Sequence, residues 1–488
     1  MTRLVAFKEK GMKLSILAKA VGGTVAGDTE AEITGLCADS SKIKKGDLFF
    51  CYKGTKFDSH SCAAAAERAG AAALVCERRL SCALPQVIVK NGRSAVAEAA
   101  RCFYGEADKS LKIVAVTGTN GKTTTTYMLG SIFRAAGKSA GVIGTLGISF
   151  AGRFISPELT TPDPVYLHSV FREMVDCGVE YVFMEVSAHA LYFDKTEGLQ
   201  FAAGIFTNCT QDHLDFFRDM KQYAACKKKL FEGGRCCFSV INSDDETGRE
   251  IARTAPSPVT YGLKNPADVF AVDVEESLSG TTFVLNLFDE LYEIKLNMPA
   301  VHNVYNAMAA AACAKLLGIS TEKIAEGLAA LKSVPGRLEH VGTFNGADIF
   351  VDFAHTPDGL EKSLQSLKKL CGGKLYCLFG CGGNRDTSKR PLMGAVAAKY
   401  ADFIVITSDN PRYEDPYDII LQIEEGVRPS GKSYVTVTDR ETATQYAIGL
   451  LRQGDILLVA GKGGETYQEI TGIKHSYNDN TVIKNIIS

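Results

Sequence analysis

The chain has 488 residues, 46% apolar and 23% charged, with a formal net charge of -2. That length allows about three domains of ordinary size, and the charge balance excludes a dedicated nucleic-acid or anionic-membrane binder. No apolar run reaches the roughly 18 residues of a membrane span, and fifteen scattered cysteines without a C-x-x-C pair argue against structural zinc or a disulfide framework.

Free thiols and the absence of a secretory apolar segment point to a reducing, cytoplasmic setting. Met12-Lys13-Leu14-Ser15 is a second plausible start, so residues 1–11 read as a loose extension. Residues 13 to about 108 then read as a small α/β unit. Leu14–Val21 patterns as a helix, Ile33–Asp39 and Gly46–Cys51 as strands, and Ala63–Ala69 as a helix. Ala72–Cys76 and Gln86–Val89 follow as strands, and Ser94–Phe103 as a helix. A polar connection, Gly105–Ser110, leads into the second unit.

That unit opens with an apolar strand, Lys112–Val116, followed by Thr117-Gly118-Thr119-Asn120-Gly121-Lys122-Thr123-Thr124 and an amphipathic helix to about Ala136. This is the build of a phosphate cradle. Glycines let the backbone curl so that N–H groups face phosphate oxygens, and the helix N-terminus adds its positive end. Lys122 can reach the β- and γ-phosphates and the Thr123 hydroxyl can ligate magnesium. The spacing departs from the common phosphate loop, since Val116 stands where its first glycine belongs.

Beyond the loop, Ala140–Gly144 reads as a strand and Val165–Cys177 as a helix. Tyr181–Ser187 is a buried strand carrying Glu185, either the carboxylate a magnesium–nucleotide site needs or an acid facing water. Ala203–Asn208 is a strand leading to His213, which alone is an ordinary loop histidine. Met220–Phe231 is a helix with Lys227, Lys228 and Lys229. Cys237–Asn242 is a strand before a capped helix start at Ser243, residues 267–298 alternate like hairpins, and Val301 opens an alanine-rich helix.

A break at Val334-Pro335-Gly336 precedes a third unit of alternating strands and helices, with strands near 348–353, 374–380, 403–407 and 455–461, hence a parallel sheet. Gly380-Cys381-Gly382-Gly383-Asn384-Arg385 lacks the last glycine of a dinucleotide fingerprint, which disfavours a nicotinamide site. Asp409-Asn410-Pro411-Arg412 follows a buried strand, either as a β-turn or as an arginine fork for a carboxylate. Gly461-Lys462-Gly463-Gly464-Glu465 is likewise a turn or a loop that receives an ammonium at Glu465.

Together these motifs resemble the Mur ligase family over nearly the whole chain. The loop Thr117–Thr124, Glu185-Val186-Ser187-Ala188-His189, Thr207-Asn208 with Asp212-His213-Leu214-Asp215, and His302-Asn303 with Asn306 occur in the family's order. So do Gly336-Arg337-Leu338-Glu339 and Asp352 with His355 and Asp358. The segments at Gly380–Asp386, Asp409–Arg412 and Gly461–Glu465 resemble the diaminopimelate-adding, MurE-type branch. The resemblance implies three α/β domains: a small uridine-nucleotide domain over 1–109, a central ATP-binding domain with a parallel sheet over 110–335, and a Rossmann-like amino-acid domain over 336–488.

It also implies site residues. Gly118, Thr119, Asn120, Gly121, Lys122, Thr123, Thr124, Asn303, Asn306, Arg337 and Asp352 match positions lining ATP. Thr123, Glu185, His213 and Lys227, the last as a carbamate, match magnesium ligands. Lys122, Glu185, His213 and Lys227 form the catalytic set. Ser40, Thr160, Thr161, Ser187 and Lys195 match the muramoyl-dipeptide site, and Arg385, Asp409, Asn410, Pro411, Arg412, Gly461 and Glu465 the diaminopimelate site. Departures stand at Ser41, Ala188, Lys195 and Gly464, where the family often has Arg, Ser, Arg and His.

The implied reaction makes an acyl phosphate on the D-glutamate γ-carboxylate of UDP-N-acetylmuramoyl-L-alanyl-D-glutamate with ATP, and meso-diaminopimelate then attacks through its amine. The expected partners are these small molecules with Mg2+, and the expected state is a cytoplasmic monomer. L-lysine as acceptor, a regulator without catalysis, and a folate polyglutamate ligase are the competing readings. Arg412 disfavours lysine and folate, and the intact Lys122, Glu185, His213 and Lys227 disfavour a silent regulator.

Overall fold

The computed structural model describes residues 11–488 except Lys56 and Pro157. The extension expected over residues 1–11 therefore lies, Gly11 apart, outside the described residues. The described residues form two compact units, one running to Ala115 with Lys138–Ala203 and Gly233–Cys237, the other Val116–Gly137 with Gly204–Glu232 and Phe238–Ser488. The division passes through the strands Lys112–Thr117 and Phe201–Phe206.

In the first unit a five-stranded sheet runs in the order Thr24–Ala26, Gln86–Ile88, Ala73–Cys76, Asp47–Cys51, Gly35–Cys37. Only the first pair is antiparallel. Asp47–Cys51 is buried at every residue, as a central parallel strand with both faces covered should be. Asn91 caps the helix Gly92–Phe103 by accepting from Arg93 and Ser94 N–H, and the helix lays Ala95, Ala99 and Phe103 on a core with Leu48, Phe50 and Val75. The single strand expected over Ile33–Asp39 is two short ones, Glu32–Ile33 and Gly35–Cys37. They pair with different neighbours, Glu32–Ile33 antiparallel to Met12–Lys13 and Gly35–Cys37 parallel to the strand Asp47–Cys51, with Thr34 between them donating its N–H to Gly46 O at 2.9 Å.

The same unit carries Ala140–Gly144 parallel to Tyr181–Glu185, extended by antiparallel strands Gly147–Phe150 and Arg153–Ile155 that periodicity did not reveal. The turn needs glycine at Gly147, where φ is +145° and a side chain would strike the Phe154 ring.

The second unit holds the phosphate-loop helix, Lys122–Ala135, against the helices Val301–Leu316 and Thr321–Ala330. Small residues make the approach close. A Cβ on Gly327 would meet the Ile132 backbone, and Ser131 Oγ donates to Gly327 O at 2.6 Å. The strands Val269–Ser277, Gly280–Leu287 and Glu290–Leu296 form the antiparallel meander expected from the alternation over 267–298.

A six-stranded sheet completes this unit in the order Glu339–Phe344, Ala347–Asp352, Ile456–Ala460, Leu375–Phe379, Phe403–Ile406, Tyr434–Thr436. All pairs are parallel except the first. The parallel strands therefore deliver the loops after Asp352, Phe379, Ile406 and Ala460 to one edge, where ligands of such sheets collect. Arg440, fully buried, ties two of those loops together. It forms a bidentate pair with Asp479 (2.8 and 2.9 Å) and donates to Ala460 O at 2.9 Å and Ser408 O at 3.4 Å.

Candidate functional site

In the second unit the cradle is built on two left-handed glycines, Gly118 (φ +148°) and Gly121 (φ +88°). Side chains there would collide with Thr207 Oγ1 and Asn306 Oδ1 respectively. Lys122 Nζ curls onto its own loop, donating to Gly118 O and Thr119 O at 2.9 Å each. The segment after the neighbouring strand, Thr207–Thr210, braces the loop. Asn208 Oδ1 accepts from Asn120 N (2.9 Å), Asn208 O from Thr119 N (2.8 Å), and Thr207 Oγ1 donates to Asn120 O (2.6 Å). Asp358, in the first turn of the helix Pro357–Leu370, closes it, its Oδ2 accepting from Asn120 Nδ2 and Lys362 Nζ at 2.9 Å and Thr210 Oγ1 at 3.3 Å.

A cavity of about 420 Å³ opens beside this loop, lined among others by Thr124, Asn303, Asn306, Arg337, Asp352 and Lys362. Asn303 is anchored to Pro299 O (2.7 Å) and accepts from Asn306 Nδ2 (3.2 Å). Arg337 stacks its guanidinium 4.3 Å over the Phe353 ring and donates to Thr123 Oγ1 at 2.9 Å. Asp352 accepts from Leu338 N, Ala354 N and Ser363 Oγ. Burial raises its carboxyl, opposed by the Arg337 charge and these donors. Asp352 thus fixes the turn that presents Arg337. The sequence-predicted nucleotide residues of this unit gather around one cavity and its loop.

Next to Thr119 stands Tyr223, which sequence reasoning missed. Its hydroxyl lies 3.3 Å from Thr119 Oγ1, its ring meets His213 edge-on, and Lys227 Nζ sits 4.2 Å over its face. The i, i+4 spacing of Tyr223 and Lys227 on the helix Met220–Lys228 is the signal that could have found it. Lys227 is buried, and burial pulls its ammonium down to about 8. His213 sits in a left-handed conformation (φ +56°), 3.4 Å from Asp212 Oδ2. Burial alone would raise the Asp212 carboxyl, but His355, with His213 and Lys389, holds it well below the usual range.

The loops at the edge of the six-stranded sheet bring the third group together. Asn410 Nδ2 donates to Glu465 Oε2 at 2.9 Å. Arg412 Nη1 donates to Gly383 O at 2.7 Å, and a Cβ on Gly382 would lie between Arg412 and Arg385. Arg385 is exposed and donates to Asn384 O at 3.1 Å. Pro411 O crowds Gly383, and Gly461 (φ +109°) leaves room for the Asp409 carboxylate. Lys462, unpredicted and fully buried, reaches Asn410 Oδ1 and Glu465 Oε2 at 2.9 Å each. Glu465, expected to await an ammonium, already holds one from the chain itself.

In the first unit Glu185 ends its strand buried rather than facing water. Its Oε1 accepts from Thr145 N (2.8 Å) and its Oε2 from Thr145 Oγ1 (3.0 Å), which also meets Thr160 Oγ1 at 3.0 Å. Thr161 Oγ1 donates to Glu185 O at 2.9 Å and accepts from Ser187 N at 3.1 Å; Ser187 caps the helix Ala188–Tyr192. Lys195 pairs with Asp163 at 2.7 Å. Ser40 lies in an exposed turn beside Ser41, whose N–H and hydroxyl both bond Asp39 Oδ1.

Three family models match the chain: the Mur ligase middle domain at residues 116–314, the Mur ligase glutamate ligase domain at 336–463, and the Mur ligase family catalytic domain at 32–120. The UDP-N-acetylmuramoyl-L-alanyl-D-glutamate–2,6-diaminopimelate ligase of Geobacillus thermodenitrificans is 41% identical over 97% of this chain and 99% of that protein. The chain belongs to the Mur ligase family. Like other Mur ligases it is an ATP-dependent ligase of α/β, three-domain architecture. The ligase of the same description from Geobacillus kaustophilus is 42% identical over 96% of this chain and 98% of that protein. A solved structure of such a ligase has 30% identity and a TM-score of 0.71, covering 98% of this chain and 99% of that one. No helix among the described residues of this Mur ligase is long and apolar enough to cross a membrane.

Proposed function

We propose that this chain joins meso-diaminopimelate to UDP-N-acetylmuramoyl-L-alanyl-D-glutamate, with ATP consumed to ADP, in peptidoglycan precursor synthesis. One observation carries the reading: within one compact unit, a phosphate loop and its cavity accompany an Arg412–Asn410–Glu465 cluster suited to an amino acid with a second carboxylate. The working domains are 1–109, 110–335 and 336–488, and the working state is a cytoplasmic monomer.

The chemistry follows from the residues. A carboxylate is a poor acylating agent, so the γ-carboxylate of D-glutamate takes the γ-phosphoryl of ATP, releasing ADP, and the amine then attacks the acyl phosphate and displaces inorganic phosphate. Lys122 leaves its own loop carbonyls to follow the γ-phosphoryl, and Arg337 and the loop N–H groups take charge developing on the phosphates. Asn303 and Asn306 line the nucleotide cavity, and Asp352 holds Arg337. Thr160, Thr161, Ser187 and Lys195 orient the muramoyl-dipeptide, with Ser40 reaching the uridine nucleotide. Arg385 and Arg412 receive the distal carboxylate of the acceptor, Asn410 and Glu465 its ammonium, while Asp409, Pro411 and Gly461 shape the pocket.

The donor set fits magnesium. No group of three or more His, Cys, Asp or Glu with metal-holding geometry occurs among the described residues. Magnesium does not need one, since it takes one or two protein carboxylates and completes its shell with phosphate oxygens and water. In the second unit the Thr123 hydroxyl, His213 and carbamylated Lys227 would hold it. Bound there, Mg2+ neutralises charge on the transferring phosphoryl group. Carbamylation requires a neutral amine, and the lowered pKa of buried Lys227 supplies one.

The test is ADP release from the purified enzyme with the muramoyl-dipeptide nucleotide and either meso-diaminopimelate or L-lysine. Diaminopimelate-dependent release supports the reading, and preference for lysine in competition overturns the acceptor assignment.

A further inference from the structure

We propose that Glu469 is a specificity-determining positioning residue for the acceptor amino acid, acting through Arg412. This rests on the reading of Arg412 as the group that receives the acceptor's distal carboxylate. The strands Tyr467–Ile470 and Ile473–Ser476 form an antiparallel hairpin beyond the Gly461–Glu465 loop. The hairpin clamps Arg412 by its backbone: Arg412 N donates to Glu469 O at 3.0 Å, and Thr471 N donates to Arg412 O at 2.6 Å. Arg412 is left-handed here (φ +52°), a conformation that a long side chain keeps only when its surroundings impose it.

Glu469 then acts on the side chain. Its Oε2 lies 3.4 Å from Arg412 Nε, with both side chains about four-fifths buried, while Gly383 O holds Nη1. Two points fix the guanidinium plane, and the Nη edge remains to face a ligand carboxylate. The Glu469 backbone N–H also donates to Asn410 Oδ1 at 2.9 Å. One residue of the hairpin therefore sets the register of both acceptor-site side chains. The Arg412 charge is also partly compensated before any ligand arrives. Discrimination against lysine then comes from a well-aimed fork for diaminopimelate more than from a penalty on an unpaired arginine.

The test compares E469A, E469Q, R412A and the double variant E469A/R412A by Michaelis constants for meso-diaminopimelate and ATP. E469A is expected to raise the diaminopimelate KM roughly tenfold, the usual loss when a charged contact is mis-aimed, with the ATP KM unchanged. E469Q, which keeps an oxygen opposite Nε, should recover most of that loss. In the R412A background the E469A effect should vanish. An unchanged or lowered diaminopimelate KM in E469A, or full additivity in the double variant, overturns the proposal. If R412A alone leaves the diaminopimelate KM unchanged, the Arg412 assignment itself fails.

Discussion

Lys227 links stability to function in a way that can be measured. Its ammonium is pulled from 10.5 to about 8 by burial, which Cys209 and Asp212 only partly oppose. At 1.36 kcal/mol per unit, the folded state bears a cost of about 3 kcal/mol for holding this group charged. The Tyr223 ring under Nζ returns about 1 kcal/mol. The sign follows from proton linkage. Between pH 8 and 10.5 the unfolded chain binds the extra proton, so stability rises with pH there; below 8 the full cost is present. Lys227→Met should therefore be more stable than wild type at pH 7 by about 1–3 kcal/mol in carbonate-free buffer, the gap closing toward pH 10.5. The same change should cost at least about a hundredfold in turnover, because the side chain can no longer become an anionic oxygen ligand. At pH 7 about one lysine in ten is neutral here, against about one in three thousand for an ordinary lysine. Bicarbonate should thus stabilise the wild type and not the variant. Denaturant midpoints at pH 7 and 9.5, with and without bicarbonate, read the effect. A Lys227→Met enzyme that is less stable at pH 7, or fully active, refutes the reasoning.

Lys122→Ala should abolish ADP release while circular dichroism and the denaturant midpoint stay near wild-type values, since the Nζ bonds to Gly118 O and Thr119 O lie within the loop itself. Arg412→Ala should raise the diaminopimelate KM about tenfold to a hundredfold, by loss of a charge-assisted bond of about 1.5–3 kcal/mol, with the ATP KM unchanged in the same assay. Asp358→Asn removes the charge that holds Asn120, Thr210 and Lys362, and should raise the ATP KM about tenfold while leaving the acceptor KM alone.

Elements with strong local patterns were legible from the chain. The buried strand Asp47–Cys51, the phosphate-loop helix and the meander over 269–296 carry their periodicity openly. Short edge elements were not. Arg153–Ile155, Tyr434–Thr436 and Glu339–Phe344 are set by pairing with a neighbour, which no window of three to six residues encodes. Thr34 shows the opposite failure: Ile33–Asp39 reads as one strand, but the stretches on either side of Thr34 pair with different neighbours.

The site was legible where a residue type announces chemistry and illegible where chemistry depends on what surrounds it. Gly118, Lys122, Arg412 and Glu465 stand out by type and spacing, whereas Tyr223, Lys462 and Glu469 look like ordinary helix, loop and strand residues. Each of these three positions another group: Tyr223 under Lys227, Lys462 between Asn410 and Glu465, and Glu469 beside Arg412. Lys462 also changes the physics expected at Glu465. A carboxylate already paired with a buried ammonium cannot serve as an uncompensated trap for the ligand's amine. It offers its remaining oxygen from a fixed position, so its contribution is orientation. The same holds for Arg412 with Glu469. Charges paired in advance weaken attraction for any cation or anion and leave geometry to choose among them, which suits a pocket that must separate two amino acids differing by one carboxylate.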